Sequence, residues 1–138
     1  MNKRSTVKSI ALTAILCLGG SLQAADSFKI GMILPMTGPF ASTGIQIAAA
    51  AKLYMAQNGD TVAGRKIELI IKDDTSAPDV TKRLAQELVV NDKVSVLAGF
   101  GLTPLALAAA PIATQAKVPE IVMAAATSSI TQLSLIHI

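Results

Sequence analysis

Four short apolar runs recur along the chain: FKIGMIL from Phe28, IELIIKDD from Ile67, VSVLAG from Val94 and IVMAA from Ile121. Runs this short, bounded by Gly, Pro and Asp, read as buried strands. Between successive runs lies enough chain for a helix. Connections of that length require parallel pairing, and a parallel sheet has to be covered on both faces. The alternation therefore predicts an α/β fold built on a doubly wound parallel sheet. In such sheets ligands bind beyond the carboxyl ends of the strands, where loops feed helix N-termini. Those loops are MTGPFAST, DDTSAPD, GFGLTP and AAATSS.

The helical stretches carry their own start and stop signals. The first runs from Ser42 to Asn58, with Thr43 and Gln46 in the form of a capping box and Asn58-Gly59 as the stop. DTVAGRK then reads as a turn. The second helix starts near Ser76, with Asp79 three residues on as another capping signature. Val80, Leu84 and Leu88 with Val89 or Val90 make its apolar stripe, opposite a solvated face of Lys82, Arg83, Gln86 and Glu87. The third runs from Pro104 to Lys117 with Thr103 as N-cap, and Pro111 is expected to kink or interrupt it.

The first 24 residues have a different character. MNKRSTVK is basic, SIALTAILCLGG is apolar and SLQAAD is rich in small residues, the pattern of a secretory signal peptide cut after Ala24. The apolar run from Ile10 to Leu18 is about half the roughly 20 residues needed to span a bilayer. A lipid anchor on Cys17 would want a small residue directly before it, where Leu16 stands. Lys3, Arg4 and Lys8 lie in this leader, so nine Lys and Arg face nine Asp and Glu beyond it. That balance points away from a nucleic-acid partner. No cysteine follows Cys17, which suits an oxidising compartment and removes any thiol nucleophile or thiolate metal site.

Candidate chemistry is sparse. GFGLTP offers Gly99, Gly101 and the Thr103 hydroxyl at a helix N-terminus, a place that favours an anion. It lacks the third glycine of a dinucleotide loop, has Pro104 where the helix must approach, and no Walker lysine follows. Asp73 and Asp74 read as solvated loop carboxylates, since no histidine accompanies them to make a metal or acid–base site. His137 is the one histidine and carries no functional weight, and a Ser or Thr nucleophile has no evident base. No cofactor, metal or catalytic residue is expected.

LPMTGPFASTG, IELIIKDD, TKRLAQELV, the G-F-G-L-T loop and VP…AAATSSIT, in this order and spacing over residues 28 to 132, carry a resemblance. Together they resemble the solute-binding proteins of ABC transporters for branched-chain amino acids and related compounds. The resemblance implies a non-catalytic, periplasmic type I binding protein with two α/β lobes, a hinge, and ligand held in the cleft. It implies ABC permease subunits as partners and a small-molecule solute as ligand. In the family a hydroxyl residue after the third strand and groups after the fourth grip the ligand's carboxylate and amine. Here those positions are Thr103, and Ala124 with Ala126 or Thr127. The family's first-loop aromatic corresponds to Thr43, with Phe40 and Phe100 as nearby packing candidates. That departure weakens the case for a leucine-like ligand and leaves another carboxylate, an aromatic acid or an amide, open.

The expected organisation is a signal peptide at 1–24, most of one lobe at 25–132, and a six-residue tail, LSLIHI, foreign to the family pattern. Such a partial lobe is expected to be poorly soluble and to bind no ligand measurably, since an open sheet edge invites aggregation. Two further readings remain: the ligand-sensing domain of a receptor or regulator built on the same fold, and an exported α/β hydrolase or phosphatase, which would need catalytic residues beyond residue 138.

Overall fold

The computed structural model describes residues 27–133. The expected signal peptide at 1–24 and the end of the LSLIHI tail lie outside the described residues. Five strands form one sheet in the order β2-β3-β1-β4-β5. They are β1 (Phe28–Leu34), β2 (Thr61–Val62), β3 (Arg65–Asp73), β4 (Val96–Gly99) and β5 (Glu120–Val122). The helices are α1 (Ala41–Asn58), α2 (Pro78–Val90), α3 (Thr103–Ala116) and α4 (Ser129–Leu133).

The expected parallel pairing is present. β1 sits at the centre, running beside β3 from Phe28↔Ile67 to Leu34↔Asp73 and beside β4 from Ile30↔Val96 to Ile33↔Gly99. β5 adds to β4 from Leu97↔Glu120 to Gly99↔Val122. Alternation along β1 and β4 sorts side chains between two cores. Ile33 and Leu97 join Leu84, Leu88, Ala106 and Ala109 of α2 and α3, and Ile130 of α4. Met32, Leu34 and Ala98 face the other way, against Ala48 of α1. β1 and β4 therefore launch helices to opposite faces, which makes the crevice between their carboxyl ends the switch point of the sheet.

Several local expectations are corrected. DTVAGRK is not only a turn: Thr61 and Val62 pair antiparallel with Lys66 and Arg65. Ala63 at φ 50° and Gly64 at φ 77° supply the two left-handed residues a tight hairpin requires. Thr43 does not cap α1. The Gly38-Pro39-Phe40 turn, with the Ala41 amide donating to the Gly38 carbonyl at 3.2 Å, starts the helix at Ala41 with Phe40 as N-cap. The Ser76–Asp79 box is likewise absent, because Ala77 is the N-cap of α2 and Thr75 and Ser76 are left-handed. Leu102, not Thr103, caps α3, and Thr103 is its first residue. α3 runs through Pro111 without a break. The third strand starts at Val96 rather than Val94, and the fourth covers Glu120–Val122 rather than IVMAA.

Candidate ligand-binding site

The turn after β4 is the most constrained piece of backbone in the crevice. Gly99 has φ +114°, and a Cβ there would stand 2.3 Å from the Ile33 carbonyl oxygen of β1. Phe100 follows at φ 62°, donating its amide to that same carbonyl at 2.9 Å. A left-handed non-glycine residue costs about 1–3 kcal/mol. Here the conformation turns the Phe100 ring inward, where it is fully buried beside Leu97 and Leu88, and burying a Phe returns about 1.5–3 kcal/mol. The expectation that Phe100 packs on a ligand is therefore corrected: its side chain has no exposed surface to offer. Gly101 is needed because a Cβ would lie 2.7 Å from the Pro35 ring. Both glycines serve close packing of the β1 and β4 ends rather than a phosphate.

Beyond that turn the chain exposes small and hydroxyl groups. Thr103 is half-buried at the start of α3, and among the described residues its hydroxyl makes no hydrogen bond. Thr43 is exposed in the first turn of α1, its amide donating to the Phe40 carbonyl at 3.1 Å. The loop after β5 is stitched to the same turn, since Met123 and Ala125 donate their amides to the carbonyls of Gly99 and Phe100 at 2.8 and 3.1 Å. That leaves Ala124 and Ala126 exposed. Thr127 is engaged locally: its Oγ1 lies 2.7 Å from the Ser129 Oγ at the start of α4. The structure thus gathers the loops of Thr43, Thr103, Ala124, Ala126 and Thr127 at the carboxyl edge of β1, β4 and β5.

Asp73 and Asp74 are not the solvated carboxylates expected. Asp73, the last residue of β3, accepts from the amides of Met36 and Thr75 at 2.9 Å each and from the Thr37 hydroxyl at 2.6 Å. Desolvation pushes its pKa up, but these donors outweigh it and hold the carboxyl below its ordinary 3.8. It fastens the β1–α1 loop to the β3–α2 loop. Asp74 is fully buried, with one oxygen accepting from the Ser76 amide at 2.8 Å. Burial pushes its pKa up, the Ser76 bond opposes that, and the charge of Asp73 adds to it. An Asp two residues before a Thr at a strand end is an Asx-turn pattern, and that signal in DDT could have found the role of Asp73. No cluster of His, Cys, Asp or Glu able to hold a metal occurs among the described residues. No helix among them is long and apolar enough to cross a membrane.

A parallel sheet with an open crevice at its switch point, lined by hydroxyls, amides and small side chains, is a class of architecture that binds small molecules. Residues 27–134 match the periplasmic binding protein family, and the chain belongs to that family. It is 46% identical over 131 residues to the Leu/Ile/Val-binding protein homolog 6 of Brucella abortus, covering 93% of this chain and 34% of that protein. It is 69% identical to the solute-binding protein of an ABC transporter from Rhodopseudomonas palustris BisB5, solved in complex with 3,4-dihydroxybenzoic acid. That match has a TM-score of 0.80 over 81% of this chain and 31% of the other. The branched-chain amino acid transporter protein LivJ of Streptococcus pneumoniae, in complex with isoleucine, matches at 26% identity and a TM-score of 0.75, over 80% of this chain and 32% of its own. The chain spans about a third of the length of these relatives.

Proposed function

We propose that this chain supplies the amino-terminal half-site of a periplasmic solute receptor, which captures an aromatic carboxylate and delivers it to an ABC permease without chemical change. The observation that carries the ligand class is the 69% identity to the Rhodopseudomonas protein that holds 3,4-dihydroxybenzoic acid. Thr43 supports it. A short hydroxyl side chain at the head of α1 leaves room in the crevice that a large first-loop side chain would fill, and a planar ring needs that room. Thr103 serves as hydrogen-bond donor to the carboxylate at the first turn of α3, where the helix dipole also favours an anion. The exposed small side chains of Ala124 and Ala126, with Thr127 beside them, border the same group. Residues 1–24 act as the export signal in this reading.

The test is calorimetric titration of the protein extended to the length of its relatives, with 3,4-dihydroxybenzoate and isoleucine as probes. Binding of the aromatic acid at micromolar or tighter Kd, with isoleucine at least tenfold weaker, supports the reading. Preference for isoleucine overturns the ligand class, and turnover of either probe overturns the receptor.

A further inference from the structure

We infer that the turn after β3 binds one structural water, held between Asp74 Oδ2 and Ser76 Oγ, and that this water steadies the clamp through which Asp73 grips the β1–α1 loop. Asp74 is fully buried. Its Oδ1 accepts from the Ser76 amide at 2.8 Å, and its carbonyl accepts from the Ala77 amide at 2.9 Å. Its Oδ2 and the Ser76 Oγ are both shut off from solvent, and neither makes a hydrogen bond among the described residues. Buried polar atoms are almost always bonded, because an unpaired one keeps the whole cost of leaving water.

The backbone of the same turn is strained. Thr75 and Ser76 stand at φ 52° and 62°, two left-handed non-glycine residues in succession. Such residues persist only where their surroundings fix them. Asp73 Oδ1 fixes the Thr75 amide at 2.9 Å, and Asp74 fixes the Ser76 amide. The Ser76 side chain has no such tie. The Ser76 amide bond puts both oxygens in one turn, and a single water spans about 5–6 Å between two partners. A water donates to a carboxylate, accepts from a carboxylic acid, and does either with a hydroxyl, so it fits Asp74 in both ionisation states. Two oxygens meet the lower limit of about two to four partners for a buried water, but fall short of the roughly six that a hard cation takes. With Ser76 held in this way, Thr75 stays where its amide meets Asp73, and Asp73 keeps its bonds to Met36 and Thr37.

The test is a crystal structure at about 1.5 Å of the protein extended to its relatives' length, with Ser76→Ala and Ser76→Gly compared by thermal unfolding and amide exchange. One density peak is expected about 2.6–3.2 Å from both Asp74 Oδ2 and Ser76 Oγ. Ser76→Ala removes a partner of the water and is expected to lower the midpoint by a few degrees and to speed exchange of the Met36 amide several-fold. Ser76→Gly, relieved of the left-handed strain, loses less. A hydroxyl with no partner predicts the reverse: Ala in its place leaves the midpoint unchanged or raises it, and that result overturns the inference. So does a parent structure with no peak there, a direct bond between the two oxygens, or a peak with roughly six oxygen ligands at 2.3–2.6 Å, which marks a cation. Unchanged exchange at Met36 overturns the role in the clamp. The parent structure decides the water site even where the variants do not fold.

Discussion

The two faces of the sheet are built on different principles. On one, α2 and α3 bring Leu84, Leu88 and a run of alanines into a continuous buried cluster with Ile33, Leu97 and Phe100. On the other, α1 buries only Gly44 and Ala48, while Ile45, Leu53 and Tyr54 are 51–67% exposed. The first face is held by volume, the second by closeness. Gly44 lets α1 sit so near the end of β1 that a Cβ would fall 2.1 Å from the Pro35 carbonyl oxygen. The thick face carries the stability, and the thin face places the first turn of α1, where the proposed site begins.

The largest effect that sharpens this contrast is Leu88→Ala, which empties the middle of the thick face. It is expected to cost about 2–5 kcal/mol in denaturant unfolding. Next comes a pH effect at the same face's edge. Glu120 is fully buried at the start of β5, and burial raises its pKa from 4.5 to about 7. The folded chain keeps that proton where the unfolded chain releases it, so the stability it contributes is full below 4.5 and lost as pH rises through 7. The loss is on the order of 3 kcal/mol, and Glu120→Gln should flatten the slope of stability against pH in that window.

Gly44→Ala tests the thin face. Overpacking against the Pro35 backbone is expected to cost about 1–3 kcal/mol and to shift the first turn of α1, weakening solute affinity as well as stability. Leu53→Ala, on the exposed side of the same helix, should change stability by less than about 0.5 kcal/mol. A large loss there would show that α1 is held by its outer face rather than by its close approach, and would break the comparison.

The parallel sheet and its ligand edge were legible in the sequence because length and apolar spacing leave few other ways to connect four short buried strands. Helix starts were less so. Thr43 has the chemistry of an N-cap, yet Gly38, Pro39 and Phe40 close a turn earlier, and a turn fixed by φ takes precedence over an optional side-chain bond. Phe100 shows the same limit. A residue after a strand-end glycine can point to core or cleft, and only its left-handed φ, imposed by the bond to Ile33, turns it inward. The hairpin of β2 was hidden because Thr61 and Val62 are too few to show a period.

The bonds of Asp73 to Met36, Thr37 and Thr75 are all internal to this lobe, so the loop before α1 is ordered before any solute arrives. Receptors that must order a binding loop lose about 0.5–1.5 kcal/mol for each flexible side chain immobilised. Here folding has already met that cost, so binding at the proposed site should show little entropic penalty from this loop, with an association rate that does not wait on its closure.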